Sequence, residues 1–342
     1  MQTVTTFLII EWIIKSILMI FILVTGFAYL TLFERKVLAR IQDRIGPNRA
    51  GPEGFFQPLA DGVKLIFKEE LVPAMSYKVV FVLAPIITVV PALIILASIP
   101  WGNPITLFGH VIPLALTDIN VGVLYILSIA SISVYGIVLA GWSSNNKYSM
   151  LGGMRSSAQM ISYELALALS FVGPILIAGS MDLMQIVQKQ EQIGWFVIYQ
   201  PIGAAIFLIA GLAEVNRAPF DMPEAEQELT AGYHTEYSGM KFALFFMAEY
   251  IKMIAVSAIG VTLFFGGFSF PYITDAVPWL GPFVLVAKVI VLLFIMVWVR
   301  ATLPRVRYDR LMGFGWKIML PGALLNVFLT AVAIVLVTGG NG

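Results

Sequence analysis

The chain reads as an all-α polytopic membrane protein, with eight transmembrane helices and an interfacial amphipathic helix in its first cytoplasmic loop. Three observations predict that class. Of its 342 residues, 59% are apolar and 12% charged, about half the charged share of a soluble domain. Eight apolar runs reach the roughly 17 to 25 residues that cross a hydrocarbon core of about 30 Å. The Lys and Arg residues gather in alternate loops between those runs, as expected of cytoplasmic segments.

The first run, 12–33, lacks a basic leader, is too long for a signal-peptide core and carries Glu11 and Lys15 at its mouth. It is therefore a retained helix. The first cytoplasmic loop, 34–78, opens with a compact basic turn punctuated by Gly46, Pro47, Gly51 and Pro52. Beyond it Phe56, Leu59, Ala60, Val63, Ile66 and Phe67 recur at three or four, with Gln57, Asp61, Lys64 and Lys68 on the other stripe. That period predicts an amphipathic helix at the membrane interface. The remaining runs are 79–99, 119–142, 156–180, 195–213, 242–265, 282–299 and 318–338, with further cytoplasmic loops at 143–155, 214–241 and 300–317. The four cytoplasmic loops hold eight, two, two and five Lys and Arg residues, whereas the tails and outer loops hold only Lys189. An even number of spans then places both termini on the outer, periplasmic side of a bacterial plasma membrane. No internal repeat or domain linker interrupts residues 1–342, which are expected to form a single membrane domain.

Composition also excludes function classes. Without cysteine, the chain can hold no disulfide, iron-sulfur cluster, thiolate zinc site or covalent haem. Its two histidines, His110 and His234, fall in separate loops and cannot form a bis-histidine haem site. A net charge of +1 gives no field for nucleic acid. There is no phosphate-cradling glycine loop, metalloprotease helix or nucleophile elbow. Any redox chemistry has to be supplied by a partner.

Charges inside spans stand out because a central carboxylate costs at least a few kcal/mol in hydrocarbon. Glu164 lies nine residues beyond Arg155, roughly 13 Å along the fourth span. It is a functional candidate, the bland alternative being a protonated acid satisfied by a neighbouring helix. Glu249 and Lys252, three apart on the sixth span, can neutralise each other. Glu11 with Lys15, and Lys288, stand near outer ends and can snorkel. The third cytoplasmic loop carries six acids, Glu214, Asp221, Glu224, Glu226, Glu228 and Glu236, against two bases. Asp221 and Glu224 have capping-box spacing, with Pro223 in the first turn. Glu224 and Glu228 share a helical face, and desolvating such a row raises at least one pKa, as a proton relay requires. A solvated acidic face is the alternative. The fourth basic loop, with Arg300, Arg305, Arg307, Arg310 and Lys317, reads first as positive-inside anchoring with an aromatic belt.

Several of these stretches resemble a known family. They are Glu34-Arg35-Lys36, Gly46-Pro47-Asn48-Arg49 through Gly51-Pro52, Gln57-Pro58-Leu59-Ala60-Asp61-Gly62-Val63-Lys64, and Arg155 through Ile161-Ser162-Tyr163-Glu164. To these are added Ala213-Glu214-Val215-Asn216-Arg217-Ala218-Pro219-Phe220-Asp221, Pro223-Glu224-Ala225-Glu226, Gly232-Tyr233-His234-Thr235-Glu236-Tyr237 and Arg300-Ala301-Thr302. Over nearly its whole length the chain resembles the quinone-tunnel membrane subunits, the H-subunit family, of bacterial NADH:quinone oxidoreductase, respiratory complex I. The resemblance implies a protein with eight helices and no redox centre, lining a quinone tunnel between its first and sixth helices and the interfacial helix. Quinone would be a substrate at the interface with peripheral subunits, and iron-sulfur clusters and flavin would belong to partner subunits only. Matching positions place Glu34, Arg35, Asp61 and Lys64 near the tunnel, with Arg217, Arg300 and Arg305 at its polar end. Glu164, Glu214, Glu224, Glu226, Glu228 and Glu249, with Lys252 beside Glu249, would carry the coupling of quinone reduction to proton pumping. Implied partners are the peripheral-arm iron-sulfur and quinone-site subunits, small membrane-arm and antiporter-like subunits, and the lipid bilayer.

One stretch departs from that pattern. Relatives often place a carboxylate in the third helix before a Val-Tyr-Gly, where this chain reads Ser131-Ile132-Ser133-Val134-Tyr135-Gly136. Only hydroxyls are offered there, so a relay through that point needs water or Tyr135 as a bridge. Two other readings remain open: the membrane subunit of a related energy-converting hydrogenase, and a standalone secondary ion transporter. The complete Gly232 to Tyr237 motif favours the quinone enzyme, and the paired, interrupted spans common in transporters are not evident.

Overall fold

A computed structural model of the chain describes residues 2–107, 110–222, 230–271, 274 and 277–339. Glu224, Glu226 and Glu228 lie outside the described residues, as does the second half of the expected capping box. The architecture is helical and polytopic. Among the described residues, seven helical stretches are long and apolar enough to cross a membrane, running Leu8–Ile41, Lys78–Ser98, Gly122–Ser143, Lys147–Ala178, Gly239–Phe264, Gly281–Thr302 and Tyr308–Val337.

In chain order, α1 spans Gln2–Ile41, α2 Gln57–Phe67, α3 Lys78–Ile94, α4 Gly122–Ser143, α5 Lys147–Ala178 and α6 Leu183–Ile193. They are followed by α7 Phe196–Tyr199, α8 Pro201–Glu214, α9 Gly239–Phe264, α10 Gly281–Thr302, α11 Tyr308–Phe314 and α12 Leu320–Gly339. A two-stranded antiparallel hairpin, β1 Ile105–Leu107 with β2 His110–Ile112, adds a small non-helical element after α3, pairing Ile105 with Ile112. Caps set several boundaries. The Asn146 side chain accepts from the Tyr148 amide to start α5, which ends at Gly179 in the left-handed region (φ 74°). Asp182 does the same for α6 through Met184 N.

The expected loops begin too early and end too late. Helix α1 continues through Glu34 and Arg35 to Ile41, α5 starts at Lys147 before Arg155, and α10 extends to Thr302 past Arg300. Hydropathy marks where the apolar run stops, whereas a helix keeps its hydrogen-bond ladder while its residues turn polar. The fifth expected run also takes a different form: it breaks at Gln200 into α7 and the 14-residue α8, about 21 Å long on its own. Gln200 is buried, donates from Nε2 to Thr330 Oγ1 (2.6 Å) and accepts from Asn326 Nδ2 (2.9 Å), so α12 satisfies the side chain at the break.

Helix α3 packs on α4, α4 on α5, α5 on α8 and α12, and α9 on α1, α3 and α10. Close approach is built into the first pair, where a Cβ at Gly136 would stand 2.1 Å from Thr88 Oγ1 and 2.9 Å from Ala84 O. The core lies between α5, α8 and α9, where Phe171, Phe207 and Phe264 stack in sequence with ring centroids 5.7 and 5.5 Å apart. The outward faces of α1 and α12 remain apolar and exposed, as at Trp12, Phe21, Leu325 and Phe328. Helix α2 buries none of its residues, and Leu59, Ile66 and Phe67 are exposed along it.

Candidate functional site: a buried charge network between the first, eighth, ninth and tenth helices

Glu34, seven residues before the end of α1, is only 2% exposed. A carboxylate so placed needs paired donors, because ion desolvation costs several kcal/mol. It receives two guanidinium groups. Arg217, in the turn after α8 and 6% exposed, donates from Nη1 (3.2 Å) and Nη2 (3.3 Å) in a two-pronged contact. Arg300, in the last turn of α10, donates to the same carboxylate. The third arm of Arg217 turns the other way, its Nε lying 2.5 Å from Glu249 Oε1 on α9. Its guanidinium plane covers the Tyr250 ring, 4.3 Å from the centroid. Two carboxylates and two guanidiniums thus form a nearly neutral buried hub linking α1, the turn after α8, α9 and α10.

That arrangement adds a second positive partner to Glu249, which also faces Lys252. They share a helix face, and the guanidinium from the turn after α8 reaches Glu249 from the other side through its Nε edge. Lys252 faces three carboxylates: its ammonium interacts most strongly with Glu214, then with Glu249 and Glu164. It lines two small cavities. One, of about 20 Å³, includes Glu249, Asn216, Thr88 and Tyr233; the other, of about 30 Å³, includes Glu214 and Ser133. Glu214, the last residue of α8, is 4% exposed, and its Oε2 has no hydrogen-bond partner among the described residues. Glu164 is half-buried on α5 and accepts from Ser131 Oγ on α4. The hydroxyl itself, rather than Tyr135, makes the contact across α4; the Tyr135 side chain is exposed.

A second cluster forms where α1 meets α2. Arg35 donates to Asp61 Oδ2 (2.7 Å), Gln57 Nε2 to Asp61 Oδ1 (3.2 Å), and Lys64 Nζ lies 4.0 Å from Asp61. Arg305 Nη2 lies 3.9 Å from Met222 Sδ, while its neighbour Val306 donates its amide to Pro219 O (3.0 Å). The loop after α10 is thereby tied to the turn after α8.

Several supporting groups were not among the residues singled out from the sequence. Gln159, fully buried on α5, donates to Ala213 O (2.8 Å) and Phe220 O (2.7 Å) and so holds the turn carrying Arg217. Tyr163 OH donates to Leu311 O (2.9 Å), fixing α5 against α11. A polar residue inside an apolar run was the available signal for Gln159; nothing local marked Tyr250 as the cover of Arg217. His234 is buried in a cage of Tyr233, Phe242, Phe245 and Phe246. Burial pushes its imidazole down to about 3. Glu11 and Lys15 form an i,i+4 pair, and Lys15 also donates to Pro113 O (2.7 Å). Lys288 does not snorkel. It donates to the carbonyls of Phe265, Gly267 and Ser269 at the end of α9.

Comparison with known proteins places these features in a family. The family model described as NADH dehydrogenase matches residues 14–331. The chain is 52% identical over 314 residues to the H subunit of the NADH-quinone oxidoreductase of Thermomicrobium roseum, covering 89% of this chain and 90% of that one. It is 51% identical over 317 residues to the first of two H subunits of Geobacter metallireducens, covering 92% and 94%. It is 52% identical over 309 residues to the H subunit of Protochlamydia amoebophila, covering 90% and 92%.

Proposed function

The chain belongs to the H-subunit family of NADH-quinone oxidoreductase, and from that premise we propose that it lines the quinone tunnel and couples quinone reduction to proton pumping. The observation that carries this reading is a continuous run of charged groups from the partly exposed Arg35–Asp61 pair into the buried hub. The Arg35–Asp61 cluster lies one residue from Glu34 on α1, the hub joins Glu34 to Glu249 through Arg217, and Lys252 connects that region electrostatically with Glu214 and Glu164.

In the proposed mechanism the substrate enters between α1, α2 and α9, with the apolar face of α2 at the membrane surface and its Asp61 side toward the tunnel. Reduction of quinone takes up two protons and so changes the charge beside Arg35, Asp61 and the hub. Arg217 is the transmitting element, because one rigid guanidinium serves Glu34 and Glu249 at once. A weaker hold on either carboxylate changes what Lys252 faces. The balance among Glu249, Glu214 and Glu164 then shifts, with Ser131 relaying to α4. Coupling of this kind is a linkage between titrating sites. Flavin and iron-sulfur clusters belong to partner subunits, and the antiporter-like subunits receive the charge signal.

The same reading gives the chain eight crossings. Residues 196–214 cover about 28 Å as α7 plus α8, and at the break the Gln200 amide donates to Phe196 O (2.7 Å) while its carbonyl accepts from the Ala204 amide (2.9 Å), so the backbone is bonded as a bilayer requires. Both termini then face the periplasm of a bacterial plasma membrane.

Glu214→Gln tests the coupling. Glutamine keeps the volume and removes the titration, so the assembled complex retains quinone reduction while proton translocation, read by acridine-dye quenching in vesicles, is lost. Full translocation in that variant would overturn the role.

A further inference from the structure

At the end of the bundle opposite the basic loops, a cavity of about 480 Å³ opens between the end of α6, α7 and the segment that follows α9. Its walls include Glu191, Trp195, Ile198, Ser269 and Phe270, and no residue of it takes part in the buried charge network. The Gln190 side chain fixes those walls. Its Nε2 donates to Thr262 O (2.8 Å), and its Oε1 accepts from the amides of Gly266 (2.9 Å) and Phe196 (3.3 Å), tying α6 and α7 to the end of α9.

Two hydrogen-bond donors are left open on this surface. Trp195 Nε1 and Ser269 Oγ have no hydrogen-bond partner among the described residues, and neither atom is sealed from solvent. The indole N–H edge lies over Gly266 (φ 76°), where a Cβ would stand 2.9 Å from Nε1, so only a glycine admits it. Behind the aromatic walls sits a positive charge. Lys288 Nζ is 5.1 Å from the centroid of the Trp195 ring and 5.7 Å from that of Phe270, and the two rings meet edge to face at 5.8 Å. Its ammonium donates to the carbonyls of Phe265, Gly267 and Ser269 and pairs with no carboxylate among the described residues. Carbonyl dipoles solvate an ammonium without cancelling its charge, which a low-dielectric wall transmits over several ångströms. Glu191, exposed at the rim, has no ion pair with any described residue. The cavity thus combines open donors backed by a cation with an unpaired carboxylate.

We propose that this cavity binds the headgroup of a zwitterionic phospholipid bearing a primary ammonium, of the phosphatidylethanolamine type. Trp195 Nε1 and Ser269 Oγ donate to the phosphate, which Lys288 attracts, and Glu191 receives the ammonium. A phosphate alone would use the donors but set a like charge near Glu191, whereas an ammonium a few bonds away satisfies both signs. The volume falls within the roughly 300–1,000 Å³ of small-ligand sites. The exit points to a lipid instead of a soluble molecule. Ile198, on the cavity wall, is 72% exposed, and the exposed Tyr199 and Ile202 continue an apolar path for an acyl chain along α7 and the start of α8. An indole with an apolar body and a free N–H suits the headgroup level of a bilayer.

The test uses the whole complex in phosphatidylglycerol vesicles containing a small fraction of phosphatidylethanolamine with a photoreactive diazirine on one acyl chain. A diazirine phosphatidylglycerol is the comparison probe. Peptide mapping after irradiation reads the label on α7 and α8 relative to that on the exposed face of α12, at Leu325 and Phe328, which any lipid touches. In wild type the phosphatidylethanolamine probe labels α7 and α8 about fivefold or more above the phosphatidylglycerol probe, the worth of one hydrogen bond to a charged group. Glu191→Gln brings the two probes to equality. Trp195→Phe keeps an aromatic wall but removes the N–H, and lowers the label from the phosphatidylethanolamine probe by about fivefold. NADH:quinone activity stays at the wild-type rate in both variants, so neither change is one of folding or assembly. Equal labelling by the two probes in wild type, an unchanged preference in Glu191→Gln or wild-type labelling in Trp195→Phe overturns the proposal. Absence of label from α7 and α8, as under a covering subunit, also overturns it. Water-soluble glycerophosphoethanolamine competing as well as the intact lipid would assign the cavity to a soluble ligand and overturn the lipid.

Discussion

Removing the guanidinium of Arg217 is the most direct perturbation of the buried hub. Arg217→Met keeps an extended, polarizable side chain against Tyr250 but takes one guanidinium from both Glu249 and Glu34. Breaking a buried pair by deleting one partner costs about 3–5 kcal/mol, because the remaining charge stays desolvated. The lost ring contact adds up to about 2 kcal/mol, partly replaced by the thioether. A penalty of at least about 3 kcal/mol overall is a hundredfold or more in equilibrium terms. The double variant Arg217→Met/Glu249→Gln replaces the stranded carboxylate with a neutral amide and recovers about 1.5–3 kcal/mol of that loss. The assay is the thermal half-life of the detergent-purified complex with its NADH:quinone rate, since a multi-subunit assembly is best compared as a rate of inactivation. Expected order of half-life is wild type, then the double variant, then Arg217→Met. A wild-type half-life in Arg217→Met, or a double variant no better than the single, would refute the shared-guanidinium hub.

Two further outcomes follow from the same contacts. Ser131→Ala removes the hydroxyl that meets Glu164 across α4, so proton translocation in vesicles slows several-fold while quinone reduction and assembly are retained; an unchanged ratio of the two excludes the hydroxyl from the path. His234 is held at about 3 against an ordinary 6.5, so the unfolded chain takes up its proton first. Its neutral form stabilises the fold fully above pH 6.5, and stability falls as pH drops from 6.5 toward 3, by at most about 1.4 kcal/mol per pH unit for one group. His234→Phe removes this component, seen as a shallower loss of thermal half-life between pH 7 and pH 5; parallel profiles count against burial of a neutral imidazole.

Much of this molecule was legible locally. The apolar runs, the amphipathic repeat of 56–68 and the asymmetry of Lys and Arg follow from bilayer thickness and helix geometry, which act residue by residue along the chain. The same rules misplaced helix ends at Glu34, Arg155 and Arg300, because hydropathy reports the solvent around a helix and not the continuity of its hydrogen bonds. They also missed the break at Gln200, whose side chain is satisfied by Asn326 and Thr330, more than a hundred residues away. The sequence by itself determined the membrane architecture and which charges have to be accounted for, since an ion in hydrocarbon demands a partner wherever it lies. Only the tertiary structure decided the partners. Glu249 gained Arg217 beside Lys252, Glu164 met Ser131, and Glu34 took two arginines of different segments. Side-chain pairing depends on which helices pack together and at what depth, and a periodicity read along one helix carries no information about its neighbours across the bundle.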